Sequence, residues 1–320
     1  MGRRTLLTIL KVAISLLLLA WLLHRIGIDA LRGQLSAARP DWLLLGTAAF
    51  AVSNLIGSLQ WYQLLRAQDS RLSFFQVLGY YHVGLFFNNF LIGYIGGDAF
   101  RVYDVRKESG DFSGAFAAVF LDRFIGFFTM TSLALFFALL MLRDSSSKAV
   151  LYTVIIVLLG WILALLVLFR ERIARKISWL IKLFIPRILH EKVREIYYDI
   201  NRFRHQPKRL AAVFTTSVAV QSLRVLTHYF TARAFGVKID PAFFFIFIPI
   251  IALISSLPIS LGGIGVREQS GVTLFGQLGV PTESVFAFEF LAYVICILTA
   301  LPGGIVFALR RSGSEKGGPT

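Results

Sequence analysis

The chain has 320 residues, of which 56% are hydrophobic and only 16% charged, with 30 Phe, 10 Tyr and a mean hydropathy of +0.70. Soluble domains carry about one-quarter charged residues, so this composition belongs to a membrane protein and excludes an ordinary soluble domain. The net charge of +15 does not point to nucleic acid, because Lys and Arg crowd into short breaks between apolar runs; the single cysteine, Cys296, excludes a disulfide framework, a CxxC redox pair and a thiolate metal cluster.

A hydrocarbon core about 30 Å thick needs roughly 20 apolar residues per helix. The first run, 6–23, is longer than a signal-peptide core and is read as an uncleaved span, although Ser36-Ala37-Ala38 could serve as a cleavage site. Further apolar runs cover 43–65, 74–92, 112–142, 150–169, 210–235, 242–257 and 285–309. Between 170 and 209 lie twelve Lys and Arg against four acids, which places this loop in the cytoplasm. Within it, Ile173, Ile177, Leu180, Ile181 and Phe184 share one helical face, with Arg172, Arg175, Lys176 and Lys182 around the other, until Pro186 ends the pattern. Leu189, Val193, Ile196, Ile200 and Phe203 form a second stripe, suited to the bilayer surface, a partner helix or packing on the membrane domain.

The basic start (Arg3, Arg4) and basic end (Arg310, Arg311, Lys316) also read as cytoplasmic, so each must be separated from the central loop by an even number of crossings. Five runs precede the loop and three follow it, so one run in each half must fail to cross. The candidates are 74–92 and 242–257, because each leads directly into a glycine pair. The expectation is an all-α polytopic membrane protein, a helical bundle of two inverted halves with six crossings and two re-entrant or discontinuous helices. Its single membrane domain covers 1–311, with a first half 1–169, a connector 170–209, a second half 210–311 and a disordered tail 312–320.

Gly-Gly-x-x-x-Arg occurs twice, 166 residues apart: Gly96, Gly97 and Arg101, then Gly262, Gly263 and Arg267. Asp98 stands beside the first pair, and Glu268 follows the second arginine. Glycine pairs allow positive φ and close approach of a ligand to the main chain. A helix starting after them presents free N–H groups to an anion, and an arginine fork would hold a phosphate bidentately. Tight helix packing by the glycines and snorkelling arginines is the competing reading. Asp122, Arg123, Arg224, His228 and Glu289 also sit in apolar context, and four acids against four arginines would make a self-neutralising polar core. Asp122 and Glu289 follow their glycine pairs at nearly equal distance. Asn88, Asn89 and Gln221 could line the same cavity, whereas His82, beside Tyr80 and Tyr81, reads as a packed histidine.

At these motifs the sequence resembles the flippase-like membrane domain of lysylphosphatidylglycerol synthases. The resemblance is carried by Leu257-Pro258-Ile259-Ser260-Leu261-Gly262-Gly263-Ile264-Gly265-Val266-Arg267-Glu268, by Gly96-Gly97-Asp98 with Arg101, and by Asp122-Arg123. Ile92 departs from it, standing where relatives often carry the proline seen here at Pro258. The resemblance implies a domain that moves a lipid between leaflets, with Gly96, Gly97, Asp98, Arg101, Gly262, Gly263, Arg267 and Glu268 on the substrate path. No aminoacyl-transfer domain follows, so lysyl transfer is not implied.

The leading expectation is a flippase or scramblase for an anionic lipid, a phospholipid or a polyprenyl-phosphate-linked sugar, in the plasma membrane of a prokaryote with both termini cytoplasmic. A small-solute or ion transporter is the alternative. A membrane enzyme acting on lipid phosphates ranks below both, since phosphatase and paired-aspartate metal motifs do not occur. No cofactor or metal is expected. The expected partners are membrane lipids with anionic head groups, not nucleic acid, and a homo-oligomer is left open. The absence of a P-loop disfavours ATP, and Asp122, Glu268, Glu289 or His228 could couple transport to protons.

Overall fold

In a computed structural model, residues 38–90, 95–141, 148–170, 176, 190–257 and 263–313 are described, and among them there are helices and no strand. The helices are α1 (Pro40–Ala67), α2 (Phe74–Phe90), α3 (Ile95–Ser109), α4 (Phe112–Met141), α5 (Lys148–Phe169), α6 (His190–Arg202), α7 (Pro207–Ala234), α8 (Pro241–Ser256), α9 (Val266–Gly276) and α10 (Thr282–Gly313). The run 6–23, the first amphipathic stripe apart from Lys176, Ile92, Gly262 and Pro258 lie outside the described residues.

Local chemistry sets the helix ends. Pro40 and Pro241 open α1 and α8 at positions where the missing N–H costs nothing. The Asp240 carboxylate accepts the Ala242 N–H at 2.8 Å, and Asp111 accepts the Gly114 N–H at 3.0 Å ahead of α4. Ser73 and Gln76 form a reciprocal box before α2: the Gln76 side chain accepts the Ser73 N–H, and the Ser73 hydroxyl accepts the Gln76 N–H. After α1 the chain turns through Asp69 at φ 58°.

Helices α1, α4, α7 and α10 are long and apolar enough to cross a membrane. Helices α2 and α8 have 17 and 16 residues. At 1.5 Å per residue α8 covers only about 24 Å, less than the hydrocarbon core. Helix α10 runs to Gly313, so Ser312 and Gly313, expected in the tail, end the helix instead.

The chain divides into two compact units, which do not follow the sequence halves. The first gathers the described residues of Met1–Asn54, Gly79–Phe100 and Ser222–Thr320. Here α9 packs on α8 and α10, and Phe244, Phe275 and Phe288 fill the space among them. Helix α2 crosses α10 at Gly303, where a Cβ would strike the His82 carbonyl. The second unit comprises Leu55–Leu78 and the described residues of Arg101–Gln221. In it α4 packs on α5 and α6.

The second amphipathic stripe, of which Leu189 lies outside the described residues, packs through its end. Ile200 and Phe203 are buried, the Asn201 amide donates to the Leu168 carbonyl at 3.1 Å, and Gln68 donates to the Asp199 carbonyl at 2.9 Å. The Leu168 carbonyl of α5 and the Gln68 side chain after α1 thus hold the connector against its own unit.

Candidate functional site

Two polar clusters stand out, one in each unit. In the second unit the Arg101 guanidinium pairs with Asp122 at 2.8 Å. Gln60 of α1 donates to the other Asp122 oxygen at 2.8 Å, and Trp61 lies under the guanidinium with 4.2 Å from its carbon to the ring centroid. Arg101 is only 3% exposed. A buried, doubly supported ion pair of this kind holds α1, α3 and α4 in register. Arg123 lies half-buried on α4, and Gln221 is buried beside Gly126.

In the first unit, α7, α9, α10 and α2 bring together Arg224, His228, Arg267, Glu268, Glu289 and Tyr81. Arg224 and His228 are one turn apart on α7, and Glu289, Tyr293 and Cys296 follow one stripe of α10. Glu289 is fully enclosed, and His228 Nδ1 lies 3.2 Å from its carboxylate, equally close to both oxygens. One ring N–H can serve one oxygen only, and Oε2 is left enclosed without a hydrogen bond. Gly271 of α9 makes the room: a Cβ there would sit 3.1 Å from Glu289 Cγ. Arg224 donates to the Tyr81 hydroxyl at 3.3 Å, while its Nε is buried without an acceptor. The Arg267 guanidinium lies over the Tyr293 ring at 4.8 Å.

The two glycine pairs differ in use. Gly96 and Gly97 lie inside the first turn of α3, which begins at Ile95, and a Cβ on Gly97 would collide with the Gly84 carbonyl of α2. The Gly97 N–H is taken by the Asn88 side chain at 2.9 Å, so this amide faces protein rather than a ligand. Asp98 stands half-exposed in the same turn, where a carboxylate suits the helix dipole. Gly263 and Gly265 instead take positive φ, 79° and 81°, in the turn ahead of α9. Glu268, 1% exposed, folds back so that its carboxylate accepts the Gly265 N–H at 2.7 Å. Asn89 receives the Cys296 thiol at 3.7 Å. His82 is half-buried, as a packed histidine would be.

A cavity of about 420 Å³ opens in the second unit between the α1–α2 turn and the ends of α3 and α4. Asp69, Glu108 and Asp111 outnumber Arg71 on its walls, the wrong sign for an anionic head group. Among the described residues, no three His, Cys, Asp or Glu side chains gather as a metal ion would require.

The profile of the family described as "Lysylphosphatidylglycerol synthase TM region" matches residues 8–305. The chain belongs to this family. Two relatives, both named "UPF0104 membrane protein", are each 26% identical over 334 aligned residues. The Pyrococcus horikoshii protein is matched over 97% of this chain and 98% of its own length, and the Methanothermobacter thermautotrophicus protein over 96% and 93%. Integral membrane character thus rests on both the helices and the family. In this family member, sequence reasoning missed Gln60 and Trp61 as the cradle of Arg101, and Gly271 as the residue that admits Glu289. Tyr293 carried a signal, four residues after Glu289 on the same helical face.

Proposed function

We propose that this protein moves an anionic lipid across the plasma membrane of a prokaryote, with the head group held by Arg224 and Arg267 and with no catalytic step. The observation that carries this is Arg224, whose Nε is buried with no acceptor, in the unit where Arg267 lies over Tyr293 of α10. The enclosed Nε–H of Arg224 suits an oxygen of a phosphate diester, and the positive-φ turn at Gly263 lets a head group come close to the backbone. Arg101 has a different task, since Asp122 and Trp61 already neutralise and cover it. The family's lipid-related description supports a lipid as cargo. Helix α8, too short to cross, and the run 74–92 are the candidate re-entrant elements in this reading, and the termini and basic connector lie in the cytoplasm.

The test is reconstitution into phosphatidylcholine vesicles with fluorescent phosphatidylglycerol, followed by chemical quenching of the outer leaflet. Arg224→Lys and Arg267→Lys, matched for abundance, should each slow exchange about tenfold, the equivalent of about 1.4 kcal/mol of head-group binding, because a point charge cannot reproduce the fork. Wild-type exchange in both lysine variants would remove the arginines from the lipid path, and selective flux of a soluble anion would favour a small-solute transporter.

A further inference from the structure

We propose that Glu289 and His228 form a proton-binding site that makes anion movement a proton symport, an inference that rests on the transport reading above. The geometry singles out this pair from the other buried carboxylates. Asp122 has both oxygens taken, one by Arg101 and one by Gln60. Glu268 is anchored to the Gly265 N–H. Glu289 has only a shared imidazole nitrogen at 3.2 Å, and one of its oxygens lies enclosed without a donor. That bare oxygen is where an O–H bond can form, and the adjacent imidazole offers the second place for the same proton.

The surrounding groups turn proton binding into cargo binding. Arg224 lies one turn before His228 on α7, Arg267 and Glu268 come from α9, and Tyr81 approaches Arg224 from α2, with Tyr293 and Cys296 along α10 itself. Helices α1 and α8 bring uncharged groups to α10, Asn54 against Thr299 and Phe244 against Phe288. With Glu289 ionised and His228 neutral, two arginines balance two carboxylates. One added proton, on Glu289 as a carboxylic acid or on His228 as imidazolium, leaves the cluster one unit positive and ready for a monoanionic head group. Anion and proton then favour each other's binding by the same factor, cross together without net charge, and the proton returns to water on the far side.

Two measurements test the proposal independently. In wild-type protein in nanodiscs, the infrared carbonyl stretch of a protonated carboxylic acid should rise and fall with pH, and Glu289→Gln should lose that band. A band that does not titrate, or that survives in Glu289→Gln, overturns the proton site. In phosphatidylcholine vesicles with fluorescent phosphatidylglycerol, a pH gradient of one unit should drive about a tenfold leaflet imbalance, as one-to-one coupling requires. Glu289→Gln and, should that variant fold poorly, His228→Gln should abolish the imbalance. Wild-type exchange that ignores the gradient overturns the coupling even if the band titrates. Absence of any lipid exchange in wild type overturns the transport reading, and the infrared titration then decides whether the pair binds a proton.

Discussion

Replacing Gly97 with alanine tests whether the first glycine pair serves packing or ligand approach. The added Cβ would overlap the backbone carbonyl of Gly84, which cannot rotate away as a side chain could. Helix α3 would have to retreat from α2 by on the order of 1 Å to restore ordinary contact. Such overpacking costs about 1–3 kcal/mol. The retreat also stretches the Gly97 N–H bond to Asn88, worth about 1 kcal/mol. Together the expected loss is about 2–4 kcal/mol. Gly160 is the control, because it lies exposed on α5 with nothing within 4 Å of an added Cβ. Gly160→Ala should be neutral or stabilise by up to about 1 kcal/mol through helix propensity. Thermal and denaturant unfolding of both variants in the same detergent reads the difference. If Gly97→Ala melted with the wild type, the α2–α3 contact would not be the reason for glycine at this position.

Asp122→Ala should destabilise the protein by about 3–5 kcal/mol by leaving Arg101 buried and uncompensated, while the double variant Arg101→Met with Asp122→Leu should recover most of that loss in the same unfolding assay. Phe203→Ala should cost about 3–5 kcal/mol and make the 190–205 segment the first site of limited proteolysis, since that ring anchors the connector. Gly271→Leu should displace Glu289, lowering thermal stability and removing the titrating carboxyl band. With Cys296 replaced by Ala, a single cysteine at position 190 or 205 should react with an impermeant maleimide in inside-out vesicles and not in intact cells; labelling from outside would invert the topology.

Much of the helical framework was legible because apolar runs and end signals coincide. The run 112–142 becomes α4, capped by Asp111, and Asp240 with Pro241 marks the start of α8. The charge pairings were not legible. Arg101 meets Asp122 and Glu289 meets His228 across gaps of 21 and 61 residues, and periodicity within one helix carries no information about a partner on another. The repeated Gly-Gly-x-x-x-Arg pattern suggested equal roles for its copies. Backbone conformation separates them, because Gly97 is helical and pressed on a neighbour while Gly263 takes a positive φ in a turn. The chemical type of the site was readable from Arg, Glu and His in apolar context; that Arg101 is taken up by Asp122 while Arg224 meets Tyr81 was not.

The crossing of α2 and α10 has a consequence for biosynthesis. His82 and Gly303 meet backbone to backbone, yet the ribosome joins them 221 residues apart. At about 5–20 residues per second, α2 waits roughly 10–40 s after its own emergence before its seat on α10 exists. During that interval Tyr81 and Asn89 lack the companions that α7 and α10 later provide, Arg224 for the tyrosine and Cys296 for the asparagine. A nascent chain halted before α10 therefore holds a short, polar-bearing helix with no completed groove to enter, which makes it a natural client for a membrane insertase or a quality-control protease until the last helix arrives.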